Sequence, residues 1–537
     1  MQNNLNYKNI FSARAKVIFG LCWLFSCHSI IYGQENHLDT INIDYLEKEM
    51  RIQNPEMAFK NGMDFSNAYL YLDYSKLDFK RTQTPGSTTK YGFGSSGVFQ
   101  YNSKIILSGK LEVSREDEKD VPFILTDERT TDQNYISNPS YFYAPRNSDW
   151  MKQNYQIGGN IAYTPVKNLF MVVGIDGKFT KAYSNSDPRP KIGNFNYTAS
   201  GKLGYQLSNH SLFVKTSYFN RKKESDISYS VSELNAPSYY ETYIRFNQGY
   251  GNYYYNDGFS DTEYKYDGWS YGAEYNFNNG ETYLNAGYNN EYYIDRMTRR
   301  YSYQTQDANG VLRTFYDIKK LTGLQTERNT YHINYLGNIK DWKWSSLLKL
   351  TDQQDINYDY VNKYTSYRVY NTEIKFNNVW SKYNKKGELL RLILDAGYGD
   401  QDIKDISVVL QKKLRFLTYQ IGGEKEFKVK PDQKISLEVK HSLYLPLENV
   451  INYEPYQSSN SNIFVENIVM PDYLYDSSTH MSLNMKVKYL LNIKKVRYEF
   501  YASGGQMFYV NSDNKNVKVV LNISNNSYFA VGLNFYY

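Results

Sequence analysis

SYFAVGLNFYY, residues 527–537, alternates with a period of two. Phe529, Val531, Leu533, Phe535 and Tyr537 fall on one face, while Ala530, Gly532, Asn534 and Tyr536 fall on the other. An apolar outer stripe that runs to the final aromatic residue poses a choice. A soluble sheet can place such a strand at an edge, whereas a closed barrel needs it to seal the last strand against the first.

The same alternation recurs after about residue 62, where helical periodicity is nearly absent. Ile105, Leu107, Gly109, Leu111 and Val113 oppose Ser108, Lys110 and Glu112. Tyr155, Ile157, Gly159, Ile161 and Tyr163 oppose Gln156, Gly158, Asn160 and Ala162. Met171, Val173 and Ile175 oppose Asp176 and Lys178, and Met481, Leu483, Met485, Val487 and Tyr489 oppose Ser482, Asn484, Lys486 and Lys488. One face suits lipid and the other water. Tyr is the dominant aromatic, with 58 residues against 27 Phe and 6 Trp, so the chain is not built like an ordinary apolar core. Tyrosine pairs an apolar body with a polar tip, which suits strands, water–lipid boundaries and binding loops.

Connections alternate in length. Tight links at Asn102-Ser103, Pro165 to Asn168, Ser208 to His210, Asn278 to Gly280, Lys340-Asp341, Asn384 to Gly387, Lys430 to Gln433 and Asn492 to Lys495 carry turn-forming residues. Between them lie polar, Tyr-rich stretches from Glu118 to Lys152, Lys222 to Ser260, Asp295 to Glu327 and Pro446 to Tyr475. Shorter ones fall near Lys80, Asn185, Asp352, Asp400 and Asn511. Eight short and nine long links imply about 18 strands. Short turns at one end and long loops at the other describe an all-β transmembrane antiparallel up-and-down β-barrel, with periplasmic turns and extracellular loops. Trp269 with Tyr271, Trp342 with Trp344, and Tyr537 stand where aromatic girdles belong. A soluble sandwich array or propeller would also alternate, but no strand block repeats at a fixed period. The terminal aromatic stripe resembles the last strand of bacterial outer-membrane barrels. The expectation is that Ser527 to Tyr537 closes the barrel against Ser66 to Leu77, and that the outer-membrane assembly machinery reads the stripe.

Lys8, Arg14 and Lys16 precede an apolar stretch from Val17 to Tyr32, so residues 1–33 read as a signal peptide. Both cysteines, Cys22 and Cys27, lie inside it. The exported chain therefore has no disulfide framework or thiolate site, and its formal charge falls from +6 to +3, too balanced for a nucleic-acid partner. Residues 34–63 form a short periplasmic or lumenal segment with a short helix from Tyr45 to Met50, and 64–537 form the barrel. The N-terminal segment is far shorter than a plug of roughly 130 residues, so the barrel lacks a large plug of its own.

Five histidines survive export, and none pairs with another ligand at metal spacing. His332 and His480 face the lumen, His210 sits in a tight turn and His441 falls on the apolar face. Asp176, Glu274, Asp395 and Glu438 alternate with Lys110, Lys178, Lys215, Arg391, Lys440 and Lys486, a mixture that pairs across strands. No nucleophile motif is present. The expectation is no catalytic activity, no cofactor and no metal. Two loops stand out. The run 249–257 places Tyr250, Tyr253, Tyr254 and Tyr255 beside Asn and Asp, a candidate contact for sugar rings or flat ligands, with self-packing over the mouth as the alternative. Asp187, Pro188, Arg189 and Pro190 make a stiff loop tip, since each proline fixes its own φ and restricts the residue before it.

At Asn54-Pro55-Glu56 and at Asp187-Pro188-Arg189-Pro190 the chain resembles a family of plug-less Bacteroidetes outer-membrane β-barrels of unknown function. That family more often has Ala where Glu56 stands. The resemblance implies an outer-membrane location among lipid and lipopolysaccharide, and a role beside TonB-linked nutrient or metal uptake, with a TonB-dependent receptor or a surface lipoprotein as partner. The resulting expectation is a porin-like channel or uptake accessory whose lumen is restricted by loops. A surface adhesion or scaffold barrel is the alternative.

Overall fold

The computed structural model describes residues 43–62, 64–127, 138–230, 243–250, 253–255, 261–306, 310–454, 465–494, 496–510 and 521–537. The signal peptide, residues 34–42 and the link near Asn511 lie outside them. Eighteen antiparallel strands form one closed sheet. The first, Phe65–Lys76, pairs with the second, Ser87–Asn102, and with the last, Leu521–Tyr536.

Closure follows the alternation read at residues 527–537. Leu70 faces Leu533, Leu72 faces Val531 and Tyr74 faces Phe529 on the outside, while Tyr71 faces Gly532 and Asp73 faces Ala530 on the inside. Ser66 and Tyr537 exchange two backbone hydrogen bonds, 3.1 and 3.0 Å. The small inward residues also have a reason. The Tyr501 ring lies across Gly532, where a Cβ would come within 2.5 Å of it, so a larger residue there would displace the ring.

The outer wall is an apolar belt. Val173, Ile175, Leu212 and Val214 are 60, 65, 68 and 70% exposed, and register sets Tyr163, Met171, Leu203 and Val214 in one row across adjacent strands. Trp269 and Tyr271, both at least half exposed, stack at 6.5 Å. No helix among the described residues is long and apolar enough to cross a membrane.

All eight tight links fall at hairpin turns, as expected. Several strands run further than the sequence reading allowed. The links placed near Asp352 and Asp400 come at 360–366 and 406–409. Asp295 to Glu327 is not a loop: Tyr283–Gln306 and Leu312–Ile339 continue as a tall hairpin of 24 and 28 residues. Pairing persists there after the apolar face has ended, because two strands in water need no lipid-facing stripe to stay hydrogen-bonded.

Deleting Phe535 to Tyr537 removes the terminal pairs of the seam, leaving part of the first strand with an open edge. Such a truncation should be exported but should lose the heat-modifiable gel shift of a folded barrel. Full-level folded protein would contradict the seam's role. On the thirteenth strand, Leu389–Asp405, Leu394 points outward while Arg391 points inward to Glu424 at 2.6 Å. Leu394→Arg should cost about 2–4 kcal/mol in lipid refolding titrations.

Candidate functional site: the occluded lumen

An 18-strand wall encloses more space than its own side chains fill, since barrels of 16–18 strands ordinarily leave an aqueous channel. Here the chain itself enters that space from both ends. At the turn end, the helix α1 (Tyr45–Gln53) is followed by a 3₁₀ turn at Pro55–Met57 and a short helix, α2 (Ala58–Asn61). Asp44 caps α1 by accepting from the Glu47 amide at 3.0 Å, and its other oxygen accepts from Ser345 Oγ at 2.7 Å. Leu46, Met50 and Met57 bury against Tyr283, Leu336, Val379 and Ile393 of the wall, and Ile52 and Ala58 against Val98, Ile106, Ala162 and Val172.

Charges fix this segment in register. Glu47 receives Arg51 at 2.9 Å within the helix and Lys343 from the wall. Glu56 accepts from Lys202 at 2.5 Å, and the same ammonium reaches Glu274, also at 2.5 Å, which Lys215 neutralises in turn at 2.7 Å. Tyr45 donates to Asp395 at 3.1 Å. Lys60 donates to the carbonyls of Ser208 and Asn278 at two neighbouring turns, 3.0 and 2.8 Å. Each contact joins the segment to a different part of the wall.

At the loop end, Ser140–Tyr143, Arg245–Gln248 and Tyr253–Tyr255 form a separate three-stranded sheet. Its first two strands are buried throughout, so the loops that carry them fold inward. Phe142, Ile244 and Phe246 pack against Leu125, Tyr264, Met297 and Leu321. A π-helical turn at Val465–Val469 leads into α3 (Met470–Ser477), which closes over the same region. Its Asp476 binds Arg81 and Lys412, both at 2.6 Å, and its Asp472 accepts the Thr82 amide at 2.7 Å. A cavity of about 40 Å³ remains between Arg81, Tyr141, Asn247, Tyr250, Gln401, Lys412, Asp472 and Asp476.

The two carboxylates of α3 behave differently. Burial raises Asp476, but Lys412 and Arg81 more than offset this and hold it below the usual carboxylate range. Burial dominates at Asp472, whose pKa is pushed up to about 6.

The predicted site residues separate. Tyr250 turns inward: its amide donates to Asp405 at 2.8 Å, its carbonyl accepts from Tyr453 at 3.1 Å, and its ring stacks with Tyr367 at 6.2 Å. Tyr253, Tyr254 and Tyr255 are strand residues of the mouth sheet, with side chains outside the described ones. Of the expected tip only Asp187 and Pro188 lie in the turn between the fifth and sixth barrel strands; Arg189 and Pro190 already open the sixth, paired with Ser228 and Ile227. Arg189 pairs with Asp187 at 2.7 Å, and Asp187 also accepts from the Ser230 amide at 3.0 Å, so the tip is tied to itself and to the next loop. Phe529, Val531, Leu533, Phe535 and Tyr537 lie on the seam. Inward charges pair across strands for Lys110 with Asp176 at 3.3 Å and Arg391 with Glu424 at 2.6 Å, whereas Lys440 pairs with Glu438 of its own strand at 2.6 Å. His480 sits among Tyr444, Tyr475 and Phe79, with the Tyr444 ring stacked 4.4 Å away, and His332 bonds Asn285 at 2.8 Å. Among the described residues no group of His, Cys, Asp or Glu could hold a metal ion.

Sequence reading missed the anchors of both closures. Glu56 stood out only as a departure from Asn-Pro-Ala, and nothing in the sequence singled out Lys202 as its partner. Arg81, Lys412, Asp472 and Asp476 come from three separated stretches, which no local pattern connects.

The sequence matches the Family of unknown function (DUF6850) over residues 56–537, and the chain belongs to that family. No curated protein matches it. Solved structures that align with it include the outer membrane transporter YddB from Escherichia coli, at 7% identity, TM-score 0.37 and coverage of 87% of this chain and 80% of that one. The siderophore receptor PiuA from Acinetobacter baumannii aligns at 8% identity and TM-score 0.37, over 88% and 82%. The RagAB peptide transporter aligns at 9% identity and TM-score 0.39, over 88% and 76%.

Lys202→Met leaves Glu56 without its cation in a buried site and should destabilise the seat of the N-terminal segment by about 3–5 kcal/mol. Faster hydrogen exchange in residues 45–61, with the barrel strands unchanged, is the expected reading. For Asp472 the folded pKa lies above the unfolded one, so the native state holds the extra proton between about pH 4 and pH 6, and stability falls as pH rises through that window. Asp472→Asn keeps the acceptor for Thr82 and should abolish this dependence, read as protection of the Thr82 amide from pH 4 to 7.

Proposed function

We propose that this member of DUF6850 is an outer-membrane channel or uptake accessory, held shut by its own chain at both ends. The observation that carries the reading is the filling of a wide, charged lumen by segments that are not part of the wall. A barrel serving only as a support gains nothing from lining its interior with ion pairs, since apolar packing of similar volume is as stable or more so. Ion pairs instead give a removable segment one register to return to. The apolar belt supports a reading in which the strands lie in a bilayer, with residues 1–33 exporting the chain and the turn end toward the periplasm. From the family resemblance come a Bacteroidetes source, a nutrient or metal as cargo, and a TonB-dependent receptor or surface lipoprotein as partner.

The scaffold reading draws on one observation, the tall hairpin standing clear of the barrel. Planar-bilayer conductance distinguishes the two. Wild-type protein and each single deletion, of 34–62 or of 124–145 bridged by a Gly-Ser turn, should conduct poorly. The double deletion should conduct steadily. A silent double deletion that still folds would leave the scaffold reading standing.

A further inference from the structure

We infer that the tall hairpin is a glycan-binding arm for the phosphorylated core sugars of lipopolysaccharide in the surrounding leaflet. The assignment rests on the membrane placement proposed above. The neighbouring strands stop at Arg299 on one side and Thr322 on the other. Seven residue pairs, from Arg300 and Ile318 to Gln306 and Leu312, therefore continue as a two-stranded ribbon. At about 3.3 Å per residue it rises about 20 Å past its neighbours. A two-stranded ribbon is marginal in water, so its side chains must support it or serve another end.

One face is an aromatic ladder between cations. Tyr303 stacks on Phe315 at 5.7 Å with the rings 22° apart, and Tyr301 follows at 6.1 Å while donating to Asp317 at 3.0 Å. Arg313 lies on this face toward the tip, and Lys319 toward the root. Residues 311–320 are exposed throughout. From Arg299 to Lys320 there are five basic and two acidic residues, a net +3 that equals the charge of the whole chain after residue 33. A near-neutral protein has concentrated its surplus charge on one projecting element.

Flat exposed rings present apolar surface to a sugar face, and flanking Arg and Lys present donors to phosphate. The ribbon rises beside the leaflet where such sugars stand. Charge alone would also suit an acidic polypeptide, but stacked rings with a cation beyond each end match a chain that alternates flat rings with anionic substituents.

The test uses the full-length folded barrel in detergent and core oligosaccharide freed of lipid, so that the belt cannot hold it, with a dephosphorylated sample as control. Calorimetry should show binding to wild type that weakens with salt and at least tenfold on dephosphorylation. Arg313→Ser with Lys319→Ser should weaken it about tenfold, and Tyr303→Ala with Phe315→Ala comparably, with the heat-modifiable shift retained. If the aromatic pair fails to fold, the cation pair decides alone. No binding, equal binding by the cation variant, or binding of poly-glutamate in place of the oligosaccharide overturns the assignment. Conductance of the double deletion is a separate readout, so failure of the channel reading leaves this result interpretable.

Discussion

Backbone hydrogen bonding without water fixes this molecule. In hydrocarbon an unpaired strand edge leaves a row of amides and carbonyls unsatisfied, each costing several kcal/mol, so the sheet must meet itself. The seam between Phe65–Lys76 and residues 527–536 accomplishes this, and it imposes a register on both strands. Because side chains alternate, that register also decides which residues face lipid. A slip of one position would turn Leu70, Leu72, Val531 and Leu533 inward and carry Asp73 into the bilayer.

Closure at 18 strands then creates a second problem, an interior too wide for wall side chains to fill. The inward faces carry charge, and charge placed in a restricted space needs partners. Some find them across adjacent strands, as Lys110 does with Asp176. Others meet residues that arrive from outside the wall, as Lys202 does with Glu56 and Lys412 with Asp476. The N-terminal segment and α3 are thus counterparts: each is a short helical piece whose carboxylates complete a set of cations on the wall.

What the sequence revealed follows the range of the interaction concerned. Alternation, tight turns and the closing strand depend on neighbours one or two residues away or on a repeated hairpin, and all were legible. Tyr303 and Phe315 fell within Asp295 to Glu327, a stretch that read as a polar, Tyr-rich loop. A strand outside the bilayer loses the one-sided pattern that identifies strands inside it. The occlusion was legible only in outline. The Tyr-rich run at residue 250 suggested either ligand contact or self-packing, and nothing local could say that Tyr250 would stack on Tyr367, which is more than a hundred residues away. Likewise, Lys202 drew no notice in the sequence, because its meeting with Glu56 depends on a segment that enters the lumen from outside the wall.

The two closures also differ in what holds them, which bears on how each could open. At the turn end, every anchor crosses to a separate strand: Lys343, Lys202 and Asp395 lie on the eleventh, sixth and thirteenth. Loss of one contact leaves the others seated, so removal requires displacement of the segment as a unit. At the loop end, the anchor converges on one short helix, where Asp476 carries both Arg81 and Lys412, and Asp472 is held as a poorly solvated carboxyl. Protonating Asp476 would release two buried cations at once, whereas protonating Asp472 relieves a cost. At the mouth two cations therefore share one carboxylate, beside the packing of Phe142, Ile244 and Phe246, whereas the anchors at the turn end are spread over separate strands. In the channel reading proposed above, the loop end yields first, with the N-terminal segment as the barrier that remains.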